Sequence, residues 1–173
     1  EEAVQAGLDA LGRAETSERR FPSPAAQRFL YELLDAKGWY PSGPEVPARA
    51  SRLLAGLSSL EDPAWGGVYR YSRCSDWSCP EREKLLAVQA AAIEDAAGAG
   101  PRGLGPKGAE LARRTAGFAQ ERMKGERGFY VASLSADAER PDGWVDGEVY
   151  YAAEGSRRPG LGVLRSDPSA YAA

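Results

Sequence analysis

The chain has 173 residues, 43% of them hydrophobic and 27% charged, with a net charge of −3, which is one domain's worth of ordinary globular composition and long enough to bury a core. Its basic residues are spread along the sequence, which excludes nucleic acid as the main partner, because phosphate binding needs a concentrated basic face. It contains no histidine, and this removes the commonest acid–base group near neutral pH, His-containing zinc sites, and the Ser-His-Asp and Cys-His arrangements. Two cysteines do not make a standard structural zinc site. No metal or cofactor is therefore expected, and any catalysis would rest on Asp, Glu, Lys, Tyr or Cys. No apolar run approaches the roughly 20 residues of a membrane span, so none is expected, while association with a membrane complex stays open. The opening Glu1-Glu2 is acidic and the apolar residues after it are spaced, unlike a signal peptide.

Val4, Leu8 and Leu11 recur at helical spacing and predict a first helix over 2–13 with a narrow apolar stripe. Pro22-Ser23-Pro24 starts a second, with Ser23 as N-cap and Pro24 at the first helical position. It runs to about Lys37, with Phe29, Leu30, Leu33 and Leu34 on one face and Gly38 as C-cap. A turn over 39–44 leads to a third helix, about 45–60, with Val46, Ala50, Leu53, Leu54, Leu57 and Leu60 facing a core. A loop over 61–78 follows. A fourth helix is expected from near Pro80 to about Ala97, with Leu85, Leu86, Val88, Ala92 and Ile93 inward and acidic Glu81 and Glu83 suiting its positive end. After a Gly/Pro-rich connector comes a fifth helix, about 107–124. The strand-type runs at 128–133 and 148–151 flank turn formers and predict a small β-hairpin, with Phe129-Tyr130 opposite Tyr150-Tyr151. The tail over 154–173 lacks apolar periodicity and reads as irregular, with Arg157 and Arg158 solvated.

The loop draws attention because glycine, aromatic, arginine and cysteine residues follow one another within it. Gly66-Gly67 reads first as a tight turn needing positive φ, and second as a place where backbone approaches a ligand. Tyr69, Arg70 and Tyr71 are either packed and paired among themselves or line a sugar or anion site. Glu81, Glu83 and Asp137 are the one carboxylate set to consider for acid–base work, which needs separated pKa values and a protected cleft. The simplest role for Glu83 is to hold the loop through Arg70 or backbone amides. Cys74 and Cys79 share a loop with Trp77, and their Cα atoms can approach the roughly 5.5 Å of a disulfide. Free thiols and a labile redox pair are the alternatives.

Phe21-Pro22, then Gly66-Gly67-Val68-Tyr69-Arg70-Tyr71-Ser72, then Trp77, Pro80 and Glu83-Lys84-Leu85-Leu86, then Gly128-Phe129-Tyr130, Ala136-Asp137 and Gly147-Glu148-Val149-Tyr150 resemble, in order, thioredoxin-domain-containing proteins related to spermatogenesis-associated protein 20. The C-terminal region of that family is an α/α toroid similar to N-acylglucosamine 2-epimerases and other sugar-processing enzymes of six-hairpin type. The resemblance covers about residues 20–151. It departs from the family where Glu81 and Arg82 stand for a His-Phe pair, where Ser135 stands for an aspartate, and in lacking the thioredoxin-like domain. It implies a mainly α fold, a partial, open α/α toroid of helical hairpins with one small β-hairpin. Residues 1–153 form the domain, with the hairpin at about 128–151, and 154–173 form the tail.

An open arc leaves apolar flanks that need a partner. Without histidine, the leading expectation is a non-catalytic structural or interaction subunit of a larger protein assembly. The alternative is a carbohydrate-binding or epimerase-like protein using a groove around Gly66, Gly67, Tyr69, Arg70, Tyr71, Trp77, Glu83 and Asp137. A thiol–disulfide protein is the third class. A Cys74–Cys79 bridge would place the chain in an organelle lumen or periplasm.

Overall fold

The computed structural model describes residues 2–14, 17–36, 44–125 and 128–168. Helix α1 is Glu2–Ala14, α2 Pro24–Asp35 and α3 Glu45–Ser59. The expected Gly38 cap and most of the 39–44 turn lie outside the described residues. Leu8 is the buried residue of α1 among those described, as its narrow stripe implied, with Val4 and Leu11 packed beside it. Pro24 opens α2, but the Ser23 side chain makes no capping bond; its carbonyl accepts from the Gln27 amide instead. Val46, Ala50, Leu54 and Leu57 of α3 and the following Leu60 are all buried, so its apolar stripe becomes a core face.

The fourth helix, α4, is Leu86–Ala99 and begins later than its apolar pattern suggested. The preceding residues are claimed by sheet pairing. Strand β1 (Tyr71–Ser72) pairs antiparallel with β2 (Pro80–Glu81), and β3 (Lys84–Leu85) pairs with β4 (Ser133–Arg140). Glu81, Glu83 and Lys84 therefore do not sit on a helix N-terminus. The inward face of α4 also differs: Gln89, Ala92, Asp95, Ala96 and Ala99 are buried, while Leu85, Leu86, Val88 and Ile93 are half-buried. Small residues win that face because α5 (Lys107–Phe118) packs closely on it, with Gly108 directly against Ala96 and Ala99. A π-helical turn, Ala119–Met123, continues α5. The α2–α3 and α4–α5 pairs are joined through contacts of α4 with α2 and α3. The fold is mainly helical with a small antiparallel sheet.

The hairpin exists, but at another place. Strands β4 and β5 (Gly143–Val145) meet around Pro141-Asp142, with Arg140 opposite Gly143. The residues expected as its second strand form helix α6 (Gly147–Ala152), whose N-cap Asp146 accepts from the Glu148 amide at 2.8 Å. Strand propensity in Val149-Tyr150-Tyr151 is overridden by burial. Tyr150 packs edge-on against Trp65 and Tyr151 against Tyr69, with centroids 5.9 and 5.3 Å apart. Phe129 is exposed and Tyr130 makes one isolated bridge to Lys124, so the expected cross-strand aromatic pairs do not form.

The described part of the tail, to residue 168, is not irregular. It contains helix α7 (Arg158–Leu161) and strand β6 (Val163–Asp167), which pairs along β4. Arg157 is exposed as expected, whereas Arg158 is fully buried. None of the described helices is long and apolar enough to cross a membrane.

Candidate functional site

The loop after α3 closes on itself. The Asp62 amide donates to Gly67 O and the Gly66 amide to Asp62 O, both at 2.9 Å, and the Tyr69 amide donates to Leu60 O at 2.8 Å. This curl requires left-handed backbone at Gly66 (φ 75°) and Gly67 (φ 70°). A Cβ on Gly66 would lie 2.7 Å from Arg114 O, and one on Gly67 would meet the Phe118 ring. The glycines thus serve the turn. From α4, the Gln89 side chain grips the loop: its Oε1 accepts from the Val68 amide and its Nε2 donates to Val68 O, both at 2.8 Å.

The curl turns Asp62 inward, where its carboxylate meets two cations. Arg158 approaches bidentately, Nη1 to Oδ2 at 2.6 Å and Nη2 to Oδ1 at 2.9 Å. Lys84 Nζ donates to Oδ2 at 2.9 Å and to Gly66 O at 2.8 Å. All three side chains are 0% exposed. Arg158 also donates to the carbonyls of Tyr151 and Ala153. The cluster carries one more positive than negative charge, and aromatic faces surround the excess. Lys84 Nζ lies 4.0 Å from the Phe118 centroid and 5.1 Å from that of Tyr69, while the Arg158 guanidinium lies 4.7 Å from Trp65 and 4.9 Å from Tyr151.

Burial opposes ionisation of Asp62, but the hydrogen bonds and charges of Arg158 and Lys84 outweigh it and hold the carboxyl below its ordinary value. Desolvation pushes the Lys84 amine down to about 8 against the pull of Asp62. Burial, with the Asp62 charge nearby, pushes the Tyr69 phenol up to about 12 and raises that of Tyr151 as well. The hydroxyls of both tyrosines are buried without a hydrogen-bond partner.

The other anticipated residues are dispersed around this centre. Arg70 pairs with Glu83 at 2.7 Å on a partly exposed surface, the loop-holding role expected of Glu83. Tyr71 stacks on Phe21 with centroids 4.7 Å apart. Asp137 accepts from the Gly147 amide at 2.8 Å and lines a cleft of about 190 Å³ with Arg73, Glu81, Arg82, Asp146 and Glu148. Glu81 and Asp137 are thus brought together, while neither Arg70 nor Glu83 lines that cleft.

Cys74 and Cys79 are disulfide-bonded, with Cα atoms 5.3 Å apart. Within the bridged loop, Asp76 accepts from the Ser78 amide and hydroxyl. Trp77 adopts a left-handed backbone (φ 67°) that lays its indole against Gly56 of α3. Replacing both cysteines by serine is expected to lower the unfolding free energy by about 2 kcal/mol, the chain-entropy value for so short a loop. Urea unfolding with and without a reductant measures it; identical midpoints for wild type and variant under oxidising conditions would refute it.

Asp62 carries no signal in the sequence reading, Arg158 is expected there to be solvated, and Lys84 is expected only near the start of the fourth helix and within the Glu-Lys run of the family resemblance. The two ends of the Asp62–Arg158 pair are 96 residues apart, and neither lies on a periodic face. The available signal was indirect: an aspartate just before the glycine turn, beside several large aromatics. No protein-family model matches the chain, and a search of curated proteins found no match.

Proposed function

We propose that this chain is a non-catalytic interaction subunit of a larger protein assembly, built on a partial α/α-toroid scaffold. The observation that carries this is the fate of the polar loop. Asp62, Lys84 and Arg158 satisfy one another in full burial, so no charged group of that centre faces solvent or a substrate. The sugar-processing alternative needs Arg70 and a carboxylate converging on an enclosed pocket, whereas Arg70 meets Glu83 on an open surface. Two helical pairs set side by side support the toroid reading, since they match two neighbouring hairpins of such a ring. The Cys74–Cys79 bond closes a loop that positions Trp77, which favours a structural over a thiol-exchange role and suits an oxidising compartment such as an organelle lumen or periplasm.

The test is recovery of tagged chain from its native source, followed by molar-mass measurement. A stoichiometric complex with another protein is expected. A stable monomer with no native partner would overturn the reading.

A further inference from the structure

A buried carboxylate lies at the inner end of an apolar groove. Leu11 of α1, Phe21 and Pro22 ahead of α2, Leu53 of α3 and Trp77 are among the walls of a space of about 380 Å³, within the size range of small-molecule sites. A narrow compartment of about 10 Å³ shares Phe21, Pro22, Leu53 and Trp77 with the groove and adds Gln27, Leu57 and Asp95. These three are only 2%, 4% and 8% exposed, so the compartment is the deep end. It admits about one water-sized group. The Trp77 wall is held by the disulfide loop and its left-handed backbone, so the groove is preformed.

Asp95 stands there without a counter-charge. Its carboxylate makes no hydrogen bond or ion pair among the described residues. The Tyr31 hydroxyl donates to the Asp95 main-chain carbonyl at 2.5 Å instead, and the neighbouring cation, Arg28, pairs with Glu94 at 2.6 Å. Burial, with the Glu94 charge adding to it, pushes the Asp95 carboxyl up to about 6 against the pull of Arg28. A buried carboxylate left so is costly, and a ligand cation set against it offsets that cost. Arg19, Arg20 and Arg52 line the outer groove and the compartment beside it, but none lines the space before Asp95. The group that fits this space is cationic and no larger than water. A primary ammonium meets both conditions and brings three donors, whereas a guanidinium or a trimethylated amine is too large.

We infer that the groove binds a small apolar molecule carrying one primary ammonium, its hydrocarbon body against Phe21, Leu53 and Trp77 and its ammonium donating to the Asp95 carboxylate. A free ligand fills the groove better than a partner's lysine, whose four-carbon stem would leave much of it empty. The inference goes beyond the interaction reading and does not depend on it.

Calorimetric titration of the full, oxidised chain near neutral pH tests it with three probes of one body: phenethylamine, phenethyl alcohol and the trimethylated phenethylammonium. Phenethylamine is expected to bind at least about tenfold more tightly than either other probe. Asp95→Asn should lower its affinity by about the same factor and leave that of the alcohol unchanged. Its urea midpoint should be no lower than that of wild type, because the carboxylate has no partner to lose. Phe21→Ala, at a wall residue 54% exposed, should weaken amine and alcohol alike. No binding, equal affinity for amine and alcohol, or unchanged amine affinity in cooperatively folded Asp95→Asn would overturn the assignment. Tighter binding of an end-blocked lysine peptide than of phenethylamine would also overturn it, making a partner's lysine the occupant. Self-association of the chain abolished by Phe21→Ala would do the same in favour of a second copy.

Discussion

Replacing Asp62 by asparagine is expected to lower the unfolding free energy by about 3–5 kcal/mol, the cost of leaving a buried charge without its partner. The substitution keeps the shape of the side chain, so the loss isolates the charge. Lys84 and Arg158 would remain at 0% exposure, with their common counter-ion gone. A small domain holds roughly 5–15 kcal/mol in total, so the variant should sit near the edge of folding. Urea unfolding at pH 7 measures the difference, and a loss under about 1 kcal/mol would show that the cluster is not a closed ion pair. The pH dependence supplies a second check. The Asp62 carboxyl titrates below its ordinary value in the fold, so its contribution is complete above the unfolded pKa of roughly 4 and disappears as pH falls through the folded one. The wild type should lose that increment under acid, and the asparagine variant has none to lose.

Removing all three charges together should hurt less than removing the one. The combined variant Asp62→Leu, Lys84→Met, Arg158→Met exchanges an ion cluster for apolar contacts among Trp65, Tyr69, Phe118 and Tyr151, which already surround it. Such replacements are commonly neutral or stabilising, because desolvation of the charges is no longer required. Here the carbonyls of Gly66, Tyr151 and Ala153 lose their donors, and each orphaned acceptor costs about 1–3 kcal/mol. The lost donors offset much of that gain, so the combined variant is expected to lie below wild type and still above Asp62→Asn. If it were the less stable of the two, the cluster would owe its stability to net Coulombic attraction rather than to mutual compensation.

The helical frame was legible because α2 and α3 carry apolar residues at helical spacing, and Leu30, Leu33, Val46, Ala50, Leu54 and Leu57 are buried accordingly, with Phe29, Leu34 and Leu53 half-buried beside them. The Gly66-Gly67 turn and the Arg70–Glu83 contact were legible for local reasons, backbone sterics in one case and loop proximity in the other. Three features were not. The start of α4 was misplaced because Pro80–Glu81 and Lys84–Leu85 are held by strand pairing, partly with residues some 50 positions later in the chain. Val149-Tyr150-Tyr151 has strand propensity, but Asp146 caps a helix there and the tyrosines gain burial against Trp65 and Tyr69. Arg158 stands in a Gly- and Pro-rich tail that locally resembles a solvated segment, and its long-range pairing with Asp62, with bonds to the Tyr151 and Ala153 carbonyls, holds it inside. Local patterns carry element type well; a charge pair closed across most of the chain leaves no local trace.

On the proposed interaction reading, the polar cluster beneath the glycine turn serves the fold, and recognition of a partner uses other surfaces. The most direct measurement is recovery of the native partner by the combined Asp62→Leu, Lys84→Met, Arg158→Met chain, with cooperative unfolding checked on the same sample. Retention of the partner by a folded, charge-free chain is the predicted result. A chain that unfolds cooperatively but no longer recovers the partner would contradict it.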